Sequence, residues 1–326
     1  MIASGPPSHL AKWIREIGRG PHAARPLDAE AARELGAAML AGTVPPLELG
    51  AILIAYRLKG ETLAELAGFM AAIERDLACL EPPGDGLRPV VLASYNGARK
   101  LPNLTALLAL LLKRYGTPVL VHGMIDDGDS FGRVTTAAIL WELGVEPAAS
   151  LADAEQRLAR DGIAYVPTTL LSPALASLLA LRQRMGVRSL MHTLAKLVDP
   201  FGGAGFRVVA VTHPDYVARM QEFLAATHAN ALLMRGTEGE PFANPRRQPR
   251  LELFEGGVAS VLFEAENAAP EPPPALPATI DAATTAAWIA GALAGEVAIP
   301  QPILNQLACC LHGARPPRSA RAIAAV

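Results

Sequence analysis

The first chemistry this sequence offers is positive charge, gathered locally. Between Leu181 and Arg207, five basic residues (Arg182, Arg184, Arg188, Lys196, Arg207) stand against one acidic residue, Asp199, a local net of +4. Arg99 and Lys100 form a second group, and Arg235, Arg246, Arg247 and Arg250 a third. Spaced cations of this kind suit a run of singly charged phosphates, because each neutralises one phosphate and releases its counterion. Arginine adds a planar fork of donors that matches phosphate oxygens. Tyr95, close to Arg99, offers a ring on which an unpaired base could stack. For any single arginine a solvated surface position is the plainer reading; the grouping is what points to a ligand.

Other reactive residue types are less informative. The seven histidines are scattered, without His-x-His or His-Glu-x-x-His spacing, so no histidine metal site is expected. His192 has no carboxylate or nucleophile beside it and reads as a hydrogen-bonded structural residue. Asp126, Asp127 and Asp129 could bind a cation, but a solvated loop is the simpler expectation. Cys79, Cys309 and Cys310 lack metal-like or redox-like spacing, which leaves reduced thiols in a cytoplasm as the default.

The chain that must position these groups has 326 residues, 51% hydrophobic and 18% charged, enough for a large core and about two domains. With 29 basic and 31 acidic residues the net charge is −2, so attraction to a polyanion must come from a local patch. The longest apolar stretches, around Ala51–Tyr56 and Ala106–Leu112, fall far short of a membrane span, and no secretion signal is visible at the N-terminus. The expected location is cytoplasmic.

Up to about residue 80 the pattern is helical. Asp28 caps a helix carrying Leu35 and Met39 that stops near Gly42. A second helix starts at Pro46 and sets Leu49, Ile52, Leu53 and Tyr56 on one face before Gly60. Thr62 and Glu65 form a capping-box pattern ahead of Leu66, Phe69, Met70 and Ile73. These stripes read as core rather than as a partner surface. After Pro82-Pro83-Gly84, the apolar runs Val90–Ala93 and Val119–His122 flank a helical run over Asn103–Tyr115, a βαβ unit that implies a parallel sheet. Further expected elements are helices at Val134–Leu143, Pro173–Met185, Leu190–Val198 and Asp215–Ala226, and strands near Ala164–Val166, Arg207–Thr212 and Ala231–Met234. A Pro-rich loop is expected over Ala268–Pro277, and two helices close the chain. The fold class is α/β preceded by an all-α N-terminal domain.

Three separated stretches carry a family resemblance. AAMLAGTVPPLELGAILIAYRLKGETLAEL (37–66) and LRQRMGVRSLMHTLAKLVDP (181–200) resemble the helical domain and the "R…LG-RT-FN-LGPL-NP" stretch of anthranilate phosphoribosyltransferases. Asn103 and His122 stand at that family's separation between the Asn of its "FN-S-T" motif and the His of its "HGN" motif. IREIGRG (14–20) and TEGEPFANPRR (237–247) resemble the YbiB-type branch of paralogues, which is associated with sequence-independent nucleic-acid binding. The resemblance implies the two-domain phosphoribosyltransferase/nucleoside-phosphorylase-like architecture. A helical, dimerising domain would cover 1–84, joined by a helix from about 168–188, and an α/β domain with a mainly parallel sheet would cover 85–326.

Against this family the departures are informative. The enzymes' GTGGD loop, whose amides wrap the diphosphate of phosphoribosyl pyrophosphate, falls on Ala93-Ser94-Tyr95-Asn96-Gly97, where Cβ atoms replace open backbone. The diphosphate cradle is expected to be lost. The acidic pair of the enzymes' "DGLDE" stretch, which holds Mg²⁺, falls on Pro241 and Phe242, with Glu238 and Glu240 displaced from it. Arg235 falls at the His of the family's "VHG", and Arg99 and Lys100 in the altered loop. By the resemblance, several basic residues surround the cleft between the domains.

The reading adopted is a homodimeric, sequence-independent binder of single-stranded nucleic acid without cofactor, using Arg99, Lys100, Arg182, Arg188, Lys196, Arg207, Arg235, Arg246, Arg247 and Tyr95, with no catalytic residues and no membrane contact. One alternative is a phosphoribosyltransferase with Mg²⁺ and an acceptor other than anthranilate; another is a scaffold whose helical domain binds partners.

Overall fold

The computed structural model describes residues 9–20, 23–84, 86–125, 132–266 and 274–316. The chain forms two compact units, one of Met1–Ala78 with Thr168–Val198, the other of Cys79–Pro167 with Asp199–Val326. Among the described residues no helix is long and apolar enough to cross a membrane.

The first unit opens with α1 (His9–Ile17), α2 (Ala29–Leu40), α3 (Pro46–Lys59) and α4 (Leu63–Asp76). Their starts follow the residues. Asp28 accepts a hydrogen bond from the Ala31 amide at 2.8 Å, Pro46 opens α3, and Thr62 with Glu65 closes the capping box. Leu35, Met39, Ile52, Leu53, Tyr56, Leu66, Phe69, Met70 and Ile73 are all buried, so the apolar stripes are core. α2 and α4 approach closely at Gly68, where a Cβ would lie 2.2 Å from the Ala29 carbonyl oxygen. No other residue allows that approach.

A buried carboxylate ties this unit together. Glu65 accepts hydrogen bonds from the Leu27 amide (2.9 Å), the Tyr56 hydroxyl (3.0 Å) and the Thr62 amide (2.9 Å), and Lys59 Nζ lies 2.6 Å from it. Burial, then the charge of Glu65, raises the Tyr56 hydroxyl well above its ordinary pKa, so it stays a donor.

The second unit begins with β1 (Val90–Ser94), α5 (Thr105–Arg114) and β2 (Val119–Gly123), the expected βαβ unit, followed by α6 (Thr136–Glu142), α7 (Leu151–Asp161) and β3 (Ile163–Pro167). The chain then returns to the first unit as α8 (Thr168–Leu171), α9 (Pro173–Met185), α10 (Leu190–Leu194) and a 3₁₀ turn, Ala195–Leu197. There Arg57 Nη1 donates to the Arg188 carbonyl at 2.8 Å and the Ser172 hydroxyl reaches Asp76 at 2.5 Å. The second unit resumes with β4 (Phe206–Val211), α11 (Pro214–Ala226), β5 (Ala231–Arg235), β6 (Leu251–Glu255), β7 (Val258–Phe263), α12 (Ala282–Ala294) and α13 (Gln301–Gly313).

The sheet order is β3-β2-β1-β4-β5-β6-β7. Neighbours from β3 to β5 run parallel, whereas β6 and β7 add an antiparallel hairpin that was not among the expected elements. α7 was not expected either. Strand order reverses between β1 and β4, the switch point beyond whose carboxyl ends α/β sheets commonly take ligands. The Asp126, Asp127 and Asp129 loop and the first part of the expected Pro-rich loop lie outside the described residues; 274–277 contain neither helix nor strand.

Candidate functional site: a filled anion nest and a basic cluster

β1 delivers the chain to the carboxyl edge of the sheet at Ser94. The loop then turns at Gly97, whose φ of +61° and surroundings favour glycine: a Cβ would meet the Arg133 Cβ and the Val134 carbonyl oxygen, both at 3.0 Å. This turn aims the amides of Asn96 and Gly97 at one acceptor, Glu240 Oε1, at 2.7 and 2.9 Å. The Ser94 hydroxyl donates to Glu240 Oε2, and Thr136 Oγ1 lies 3.2 Å from the same oxygen. Asn103 Nδ2 donates to Thr136 Oγ1 at 3.0 Å while its Oδ1 accepts from the Thr105 amide at the start of α5. Ser94, Asn103, Thr136 and Glu240 are all buried.

A second carboxylate fills the rest of the loop. Glu238 accepts from the amides of Arg99 (3.2 Å), Lys100 (2.8 Å) and Leu101 (3.1 Å). Arg133 Nη1 donates to the Gly97 carbonyl at 2.8 Å and lies 3.4 Å from Glu238 Oε2. Both glutamates come from one tight turn after β5, Thr237–Glu240, with positive φ at its two central residues, Glu238 (+55°) and Gly239 (+86°). A left-handed glutamate costs about 1 kcal/mol. The surroundings enforce it: Glu240 N donates to the Thr237 carbonyl at 3.0 Å, and Thr237 N to the Phe242 carbonyl at 3.1 Å.

The Cβ atoms expected to break up the cradle leave its backbone donors together. The loop Ala93–Gly97, extended to Leu101, still gathers backbone donors; the side chains at Tyr95 and Asn96 do not scatter them. They are occupied by the chain's own carboxylates. The residues do not suit a Mg²⁺ diphosphate either: Pro241 and Phe242 offer no side-chain ligand, and Glu238 and Glu240 direct their oxygens to amides.

Ala93 is buried in β1, in register with His122 of β2. The Tyr95 hydroxyl lies 2.7 Å from His122 Nδ1 and the rings meet edge to face. Tyr95 is only 7% exposed, so it is not a stacking platform for a base, contrary to the sequence expectation.

The basic residues divide between the units. In the first, the positive charges of Arg188, Arg182 and Lys196 all reach the ring of His192 and, after burial, lower its pKa to about 3. His192 Nδ1 accepts from the Ser189 amide at 3.3 Å, the structural role expected of it. In the second unit Arg99, Lys100, Arg235, Arg246 and Arg247 are all exposed. Arg99 and Lys100 flank Glu238, and Arg235 precedes its turn. Arg207 does not join them. It pairs with Ala231 at the amino end of β4, four residues before the Val211–Arg235 pair at the carboxyl edge, about 13 Å along the strand. Arg250 is matched by Glu252 and Glu264.

Two buried histidines make stability pH-dependent. Burial lowers His122 to about 3, as it does His192, so each stays neutral in the fold while the unfolded chain protonates near 6.5. Between pH 6.5 and 3 the unfolded state binds more protons; stability is full above 6.5 and falls as pH drops. Each unit holds one such histidine and is expected to lose about 2 kcal/mol between pH 7.5 and 5. Urea unfolding at the two pH values measures this, and equal stabilities would refute it.

Arg133 and Thr136 escaped the sequence reading, and Glu238 and Glu240 were noticed only as displaced metal ligands. The usable signal was the spacing: two acids flanking a glycine just after a strand that neighbours the switch point.

Known proteins share this architecture. The glycosyl transferase family, helical bundle domain, matches residues 11–75. The anthranilate phosphoribosyltransferase of Thermus thermophilus shares the fold at a TM-score of 0.72 and 24% identity, over 94% of this chain and 88% of that one. The anthranilate phosphoribosyltransferase of Haloarcula marismortui is 31% identical over 190 residues, 58% of this chain and 56% of its own. The uncharacterized protein YbiB of Escherichia coli (strain K12) is 45% identical over 301 residues, 92% of either chain. The helical bundle and α/β sheet thus define a phosphoribosyltransferase-like protein of two domains. The chain belongs to that glycosyl transferase family as a YbiB-type paralogue of the anthranilate phosphoribosyltransferases.

Proposed function

We propose that this protein binds single-stranded nucleic acid without reading its sequence, as a cytoplasmic homodimer. The observation that carries the reading is that the positive charges of Arg182, Arg188 and Lys196 all act on one buried histidine in a chain whose net charge is −2. Three cations, on α9, on the connection from α9 to α10 and on the turn after α10, suit successive backbone phosphates, which need point charges and forks rather than a metal. Arg99, Lys100, Arg235, Arg246 and Arg247, on the second unit, supply further phosphate partners. Homology supports the alternative, phosphoribosyl transfer to an acceptor other than anthranilate; the occupied amides of the β1 loop weigh against it, since that reaction needs them for the departing diphosphate. Titration of labelled single-stranded oligonucleotides of different base composition tests the proposal: affinities should agree, and log affinity should fall linearly with log salt, by about 0.7 per phosphate neutralised. No binding at low salt would remove it.

The dimer would form through α3. Leu47, Ile54 and Leu58 are 78, 40 and 68% exposed, and their spacing puts them on one stripe of the helix. Such a stripe suits self-complementary two-fold association. Light scattering should give twice the chain mass of 34.2 kDa at micromolar concentration, and Ile54→Glu should halve it. A monomeric native protein would refute this.

A further inference from the structure

We propose that Glu238 and Glu240 are an internal stand-in for a diphosphate, and that the β1 loop is a working anion nest which the chain keeps closed with them. The donors form one set: the amides of Asn96, Gly97, Arg99, Lys100 and Leu101, the hydroxyls of Ser94 and Thr136, and the Arg133 guanidinium. Converging amides, hydroxyls and a guanidinium recognise anionic oxygens whatever atom carries them. Here they meet two anionic groups held two residues apart, the arrangement a pair of linked phosphates would present.

The geometry shows adaptation to this filling. Glu240 is fully buried, which is tolerable because donors meet both of its oxygens. Glu238 holds a left-handed backbone that glycine would adopt more easily, and Gly236 admits the turn only because it lacks a Cβ, which would lie 2.2 Å from the Glu240 carbonyl oxygen. The backbone hydrogen bonds of the turn and the three amides that meet the Glu238 carboxylate together hold that conformation. Emptying the nest would leave buried amides without partners, and an external anion would then be drawn in.

Calorimetry and thermal unfolding with inorganic diphosphate, with and without Mg²⁺, test this on the full chain. The native protein should neither bind diphosphate at millimolar concentration nor be stabilised by it. Glu238→Ala with Glu240→Ala should bind it at least roughly tenfold more tightly and show a saturable rise in Tm, independently of Mg²⁺. If the double alanine variant does not fold, Glu238→Ala alone, which frees the amides of Arg99, Lys100 and Leu101 while Glu240 stays in place, takes its place, with saturable stabilisation by diphosphate again expected. Micromolar diphosphate binding by the native protein, a folded variant that diphosphate does not stabilise, or failure of both variants to fold even with diphosphate present would each overturn the proposal. Oligonucleotide binding plays no part in this readout, so the result stands apart from the nucleic-acid reading.

Discussion

Reversing two charges at once, Arg188→Glu with Lys196→Glu, is expected to weaken binding of every single-stranded oligonucleotide by about a hundredfold at 0.1 M salt. Removing two phosphate partners, each worth about 0.7 in the salt slope, accounts for roughly 25-fold, and repulsion from the new carboxylates supplies the remainder. The slope of log affinity against log salt should flatten by about 1.4. Loss should be equal across base compositions, because groups that hold the backbone position a strand without reading it. Circular dichroism checks that the variant is folded before its affinity is read; the bond from Arg57 goes to the Arg188 carbonyl, which the substitution keeps. An internal check is available in His192, whose pKa should rise once Arg188 and Lys196 no longer press on it. Proton-detected titration reports that shift whether or not nucleic acid binds. Unaltered affinity in the presence of a shifted His192 would defeat the nucleic-acid reading while showing that the charges were correctly placed.

Glu65→Ala is expected to cost the first unit about 3–5 kcal/mol, because it leaves a buried ammonium without its partner. Lys59 has a side chain only 8% exposed, and the Leu27 and Thr62 amides and the Tyr56 hydroxyl would lose their acceptor together. Adding Lys59→Met should recover a large part of the loss by removing the stranded charge. Denaturant unfolding followed by circular dichroism measures both, with a lowered midpoint and unchanged slope as the expected form. A loss under about 1 kcal/mol for the single variant would show that water reaches Lys59.

Elements with a strong local period were legible in the sequence. The capping box at Thr62, the stripe through Leu66, Phe69 and Ile73, and the βαβ unit needed only caps, turns and spacing. α7 was not legible, because its sequence LADAEQRLARD buries only Ala154 and Leu158 and gives little apolar rhythm. The β6–β7 hairpin was missed although Gly256-Gly257 marks its turn: Glu252 interrupts the apolar run of β6, and β7 is an exposed edge strand whose alternation answers to no core. The site divided in the same way. Asn103 and His122 could be placed by motif spacing, but that Glu238 and Glu240 fold back into the β1 loop is a pairing across about 140 residues, invisible to any local rule. Tyr95 shows the converse. Its neighbours suggested a base-stacking ring, yet the hydroxyl found a partner in His122 and carried the ring inside, so Tyr95→Ala should act through stability.

The construction of the first unit from two stretches, up to Ala78 and then Thr168–Val198, sets an order on its birth at the ribosome. α1 to α4 emerge first, but α9 and α10, which pack on α2, α3 and α4, follow only after three strands of the other unit have been made. Until then the nascent helices carry uncovered apolar surface, a condition that invites chaperone capture or premature association. A fragment ending near residue 80 would stay in that state permanently, so the helical unit is better isolated by joining its two stretches with a short linker than by truncation.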